Sequence, residues 1–291
     1  MGTIKRIALA GLVAVATSAP ALAADLLPPP PPMAPPIPVD VGSGWYLRGD
    51  VGVGILDFDT FKGVDFVDGV VQPPPPGGFR LDSKSVGDQV FVGIGVGYQF
   101  NNWLRADITG EYRTQAHLRT IESFDNPDNP RARGFNLVTA PLSSFVGLVN
   151  GYVDLGTYYG LMPFVGAGVG FAHHELNGVN DQGLGSAVGG IGIAQDRSDT
   201  RFAWALHAGL GYAVTPNLKL ELAYRFLHMD KAQTTVVCSC NTLTTAYTYK
   251  DLTSHDIKLG MRWMFNTAVA APLAMAEPVP EPAPAPIIRK Y

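Results

Sequence analysis

Four places in this chain bring together residue types that could do chemistry. His173-His174-Glu175 offers two imidazoles and a carboxylate to a metal, but neighbours on a strand point to opposite faces, the wrong geometry for one shared ion. Ser254-His255 sets a nucleophile beside a base; the same alternation separates them, and no orienting carboxylate accompanies them. Gly93-x-Gly95-x-Gly97 and Gly166-x-Gly168-x-Gly170 hint at phosphate loops, yet the spacing is not Gly-x-Gly-x-x-Gly and each run lies inside a strand-like stretch. Residues 57–66 and 125–133 cluster acids with turn residues in a way that could suit calcium, although a solvated loop surface is the simpler reading. No catalytic residue, cofactor-binding residue or metal ligand is assigned, and no cofactor is expected.

A larger constellation has a structural logic. Arg48, Asp50, Arg105, Asp107, Glu111, Arg113, Lys219, Glu221, Arg225, Asp256, Lys258 and Arg262 all fall on one parity of alternating stretches. In the last stretch Ile257, Leu259, Met261, Trp263 and Phe265 take one side, while Asp256, Lys258, Gly260, Arg262 and Met264 take the other. A two-residue period means a β-strand with chemically opposite faces. Eight such stretches occur, at about 44–57, 88–100, 103–118, 142–154, 161–173, 201–214, 218–228 and 256–265.

The joins between them are asymmetric. Those after the second, fourth and sixth stretches are short, with Asn101-Asn102 and Thr215-Pro216-Asn217 as turns. Those at 58–87, 119–141, 175–200 and 229–250 are long, polar and rich in Gly, Pro, Asn or Thr, and the glycine-rich run 178–192 is expected to stay mobile. Short turns on one rim and long loops on the other mark an eight-stranded antiparallel up-and-down transmembrane β-barrel, with short periplasmic turns and four long extracellular loops.

Periodicity alone leaves open which face points inward. An eight-stranded barrel has room inside only for side chains to fill it, and the apolar set is too bulky to fit. The polar faces divide between charged strands and glycine-rich ones, and glycine makes sense where long side chains from across a narrow lumen need space. Aromatic residues Trp45, Tyr98, Trp204, Tyr212, Tyr224, Trp263 and Phe265 sit near strand ends on the apolar parity, as interfacial girdles do. The charged parity is therefore expected to line a dry lumen as a paired network, with no wide aqueous channel. The function classes that remain open are a structural and surface-interaction protein, a small-solute pore and a barrel lipid hydrolase, in that order.

The flanks fit export. Residues 1–23 read as a signal peptide, with Lys5 and Arg6, an apolar run over 7–16, and cleavage expected after Ala23. Residues 24–43 and 266–291 are proline-rich, a periplasmic linker and a C-terminal tail around a barrel at 44–265. After the signal no apolar run approaches the length of a membrane helix, and the net charge of −4 argues against nucleic acid as a partner. Cys238 and Cys240 could bridge only through a small strained ring, so no disulfide framework is read from them.

The segments from Phe202-Ala203-Trp204 through Gly209-Leu210-Gly211-Tyr212 and Thr215-Pro216-Asn217-Leu218-Lys219-Leu220-Glu221 to Tyr224-Arg225-Phe226, with Asn150-Gly151-Tyr152-Val153-Asp154, Pro163-Phe164-Val165-Gly166 and the closing Gly260-Met261-Arg262-Trp263-Met264-Phe265, resemble the small OmpA-like and opacity-type outer-membrane β-barrel proteins. The proline-rich stretch before Gly44-Trp45-Tyr46-Leu47-Arg48 is similar to alphaproteobacterial members. The resemblance implies an eight-stranded barrel in the cell outer membrane and a role in envelope integrity, adhesion or immune contact. Its partners would be outer-membrane lipid, the insertion machinery reading Phe265 as the terminal aromatic, and host or other surface ligands meeting the loops. No oligomeric state is read from the sequence.

Overall fold

A computed structural model describes residues 44–265, apart from 76, 127–128, 187–189 and 239–242. The signal segment with Ala23, the proline-rich stretches and Cys240 lie outside the described residues, and of Cys238 only the backbone is described.

Every regular element among the described residues is a strand. In chain order these are β1 (Gly44–Asp57), β2 (Thr60–Val67), β3 (Val70–Val71), β4 (Arg80–Val86), β5 (Gln89–Gln99), β6 (Leu104–Asn126), β7 (Asn129–Asp154) and β8 (Leu161–Leu176). There follow β9 (Asn180–Gly185), β10 (Ile191–Ala194), β11 (Arg197–Ala213), β12 (Leu218–His228), β13 (Ala232–Cys238), β14 (Leu243–Lys250) and β15 (Thr253–Met264). Eight of them close a ring in the order β1, β5, β6, β7, β8, β11, β12, β15 and back to β1, every pair antiparallel. The closing pair runs from Tyr46 opposite Met264 to Asp57 opposite Thr253. Closure satisfies the backbone within the wall, as hydrocarbon requires.

Alternation fixes what each face meets. On β1 and β15, Trp45, Leu47, Val51, Val53, Ile55, Ile257, Leu259, Met261, Trp263 and Phe265 project outward and are 47–62% exposed. Arg48 and Arg262, on the opposite parity, are 5% and 2% exposed. From Trp45 to Ile55 the outward apolar band covers about the 9–11 residues that a tilted strand needs to cross a membrane.

Strands β6 and β7, at 23 and 26 residues, are more than twice that length. The surplus does not form the polar loops expected at 58–87, 119–141, 175–200 and 229–250. It prolongs the same wall: β2, β14, β13, β10, β9, β7, β6 and β4 neighbour one another in the order of the membrane ring, with no pairing between β4 and β2. The run 178–192, expected to be mobile, supplies the paired strands β9 and β10. Cross-strand hydrogen bonding to long neighbours outweighs the low strand propensity of its glycines.

Along these strands the barrel turns inside out. Above the membrane band the interior carries an apolar cluster: Phe58, Leu118, Val138, Ala140, Leu142, Leu176, Met229, Tyr247, Tyr249 and Leu252 belong to it. On β6 and at the joins of β12 to β13 and β14 to β15 the switch comes with a parity change, whereas β7 keeps even residues inside from Val138 to Tyr152. A register shift between Arg113 and Ala116 moves β6 from odd to even residues inside, as a bulge must. Asp230 and Asp251, both with φ of 55°, turn the chain between β12 and β13 and between β14 and β15.

Candidate functional site

The lumen of the membrane ring is filled by charge. Toward the extracellular side, Arg113 Nη2 and Nη1 donate to Asp256 Oδ1 and Oδ2 at 2.8 and 3.1 Å. Arg225 donates to both Glu111 oxygens at 2.7 and 2.8 Å and to Asp256 at 2.8 Å. Ser254 Oγ completes this group, donating to Asp256 at 2.6 Å. Both guanidinium groups lie over the Phe91 ring, at 4.9 and 5.0 Å from its centroid.

One layer lower, Arg48 takes Asp50 at 2.9 Å and Asp107 at 2.7 Å, and Lys258 approaches Asp50 at 3.6 Å. Asn150 Nδ2 donates to Asp107 at 2.8 Å, and Tyr46 donates to the same carboxylate at 3.1 Å. Near the short-turn rim Glu221 collects Arg48, Arg105 and Arg262 at 3.5, 3.3 and 3.2 Å. Arg105 also donates to Asp154 at 3.1 Å and lies 4.2 Å above the Tyr152 ring.

Eleven of the twelve lumen charges read from the sequence therefore stand in ion pairs with one another or with Asp154. Lys219 differs. It is buried beside Arg262, its register partner, and among the described residues has no carboxylate within ion-pair distance, because Glu221 is already held by three arginines. Residues not singled out for the network, Asp154, Asn150, Gln89, Phe91, Tyr46 and Tyr152, share its parity, and that was the signal available for them.

Glycine plays the part its position suggests. A Cβ on Gly260 would sit 2.5 Å from Asp50 Oδ1, and one on Gly54 would meet the Arg113 guanidinium and the Asp256 carboxylate. Small residues on these strands leave the space that the long side chains occupy.

Of the outward aromatic set, Trp45 and Tyr98 pack edge to face at 5.3 Å and Tyr212, Trp263 and Phe265 lie exposed beside the short-turn rim. Toward the other rim Trp204 packs on Phe226 at 5.4 Å, and Tyr224 OH bonds His255 Nδ1 at 2.6 Å. Ser254 and His255 point to opposite faces, one buried in the lumen and one exposed. His173 and His174 divide likewise: His174 bonds Ser144 at 2.9 Å inside, and His173 bonds Thr200 at 2.7 Å outside.

A closed ring with lipid-facing apolar residues and an ion-paired interior agrees with the family comparison. The family model described as outer membrane protein beta-barrel domain matches residues 7–265. The chain belongs to that family. Its place is the cell outer membrane, spanned by the eight-stranded ring. An uncharacterized protein of Brucella abortus (strain 2308) is 31% identical over 221 residues, covering 68% of this chain and 72% of that one. Outer membrane protein PagN of Salmonella typhimurium is 26% identical, covering 76% of this chain and 90% of its own. A Rickettsia prowazekii protein named "Putative adhesin" is 25% identical, covering 77% and 88%. Among solved structures, Neisserial surface protein A aligns with 77% of this chain and 99% of its own at 18% identity and a TM-score of 0.37.

Proposed function

We propose that this chain is a non-enzymatic outer-membrane barrel whose wall anchors it, whose lumen is a plug, and whose extracellular cap meets ligands at the cell surface. The observation that carries this reading is the cap itself. Segments that would be loose connections are built into paired strands around an apolar core, and such a wall presents its outward residues in fixed positions. The name of the Rickettsia relative points the same way. Ion pairs cross the lumen and their side chains are buried, which favours an anchor over a pore. The aromatic set, with Trp45, Tyr98, Tyr212, Trp263 and Phe265 at one rim and Trp204 and Tyr224 at the other, serves as the two interfacial girdles. In this reading the export segment is cut after Ala23, and Phe265 is presented to the insertion machinery.

The test is expression of the full chain in the outer membrane of a non-adherent bacterium. Attachment to host cells or to immobilised matrix should rise severalfold over the vector control, and reconstituted protein should pass no steady current in planar bilayers. Steady channels without a gain in attachment would make it a small-solute pore instead.

A further inference from the structure

The cap brings together three carboxylates, one buried and two half-buried, with no cation within ion-pair distance among the described residues. Glu122 of β6 is 2% exposed, and its Oε2 has no hydrogen-bond partner. It reaches across the cap toward β2: a Cβ placed on Gly63 would stand 3.6 Å from that oxygen. Asp65 of β2 accepts from Thr245 at 2.7 Å, and Asp181 of β9 accepts from Tyr247 at 2.7 Å while its Oδ1 has no partner. Tyr247 and Tyr249 of β14 and Thr234 of β13 complete the surroundings, all buried. Lys84, the cation of flanking β4 whose register neighbour is Thr120, is occupied by Asp57 and the Phe58 carbonyl, both at 2.7 Å. Nearer the tip, Arg80 and Arg133 pair with Asp125.

These acids come from the first, second and third of the long joins, and the tyrosines that cover them come from the fourth. A buried carboxylate without a cation is stable only when neutral. We propose that protons hold the cap shut: Glu122, with Asp181 and Asp65 around it, binds a proton when the four segments close and releases it when they part. The extracellular surface would then be an ordered platform in mildly acidic surroundings and a looser one in alkaline surroundings.

The sign follows from linkage. Burial, and then the charges of Asp181 and Asp65, push the Glu122 carboxyl up to about 8 from its ordinary 4.5, and burial pushes Asp181 in the same direction. Closing therefore takes up a proton between those two values. The closing equilibrium is most favourable below about 4.5, falls up to tenfold per pH unit as pH rises toward about 8, and levels off above that.

Hydrogen exchange on the full-length protein in lipid nanodiscs reads this directly. Between pH 6 and 8, protection of the β14 amides, corrected for intrinsic rate, should fall about fiftyfold, while the β15 amides keep theirs. Glu122→Gln should hold the cap protected across the range. If that variant does not insert, Asp181→Asn should at least flatten the slope. The proposal fails if wild-type β14 protection does not change with pH. It fails equally if the glutamine variant keeps the full slope, or if calcium at millimolar concentration restores protection at pH 8, which would make the trio a cation site.

Discussion

Arg113 of β6 and Asp256 of β15 meet through two parallel hydrogen bonds, although β1 and β5 stand between their strands in the wall. The contact is made across the lumen, so it ties opposite sides of the barrel together. The fork of a guanidinium matches a carboxylate in this way, and its directionality fixes how the two sides face each other.

Removing one partner should be costly. Arg113→Ala leaves Asp256 buried with its charge only partly answered, and Arg105→Ala does the same to Glu221 and Asp154. Each is expected to lose ~3–5 kcal/mol of barrel stability. Heat or urea unfolding in detergent, followed by the mobility shift of the folded barrel on gels, measures it. A variant as resistant as the wild type would disprove the paired-lumen account. The double replacement Arg113→Met with Asp256→Leu should recover much of the loss, because no uncompensated charge then remains.

Crowding the lumen should also show. Gly54→Ala places a methyl group against Arg113 and Asp256 and 2.6 Å from Ser254 Oγ. We expect a destabilisation of ~1–3 kcal/mol, the usual cost of overpacking. Gly49→Ala on the same strand, where a Cβ meets nothing within 4 Å, should be close to neutral in the same unfolding assay.

The inverted polarity of the cap predicts an effect confined to it. Leu118 is fully buried there. Leu118→Asp should make the segments between the membrane strands readily cleaved by added protease, while the barrel keeps its gel mobility shift. Loss of the shift would mean that cap and barrel fold as one unit.

Protease shaving of intact cells should distinguish a folded cap from loose loops. Cuts are expected at the connections around Asp68 and Gly77, and not within β6, β7 or β14, whose amides are paired. Even cleavage throughout 119–141 would restore the picture of flexible loops.

The membrane portion was legible because one physical constraint acts on every strand at once. Between lipid and a narrow lumen each residue must be apolar or ionic according to parity, so β1 and β12 appear in the sequence at the bounds the structure gives them. The lumen set was readable for the same reason, down to the glycines that make room for it. The exception is Lys219, since which cation goes unpaired depends on distances across the barrel and not on parity.

The cap was hidden for the opposite reason. Its strands meet water outside, so Thr, Asn and Gly are tolerated and the hydropathy contrast fades. On β6, and from β12 to β13 and β14 to β15, the parity also flips at a break: a bulge after Arg113, left-handed turns at Asp230 and Asp251. A flip is invisible in a sequence until the partner strand fixes the register, so Leu118 reads as lipid-facing when the alternation is continued through it. Chain chemistry alone settled the solvent on each side of the membrane wall. Only tertiary pairing decided that the long joins continue that wall, because their stability comes from neighbours distant in sequence and not from their own composition.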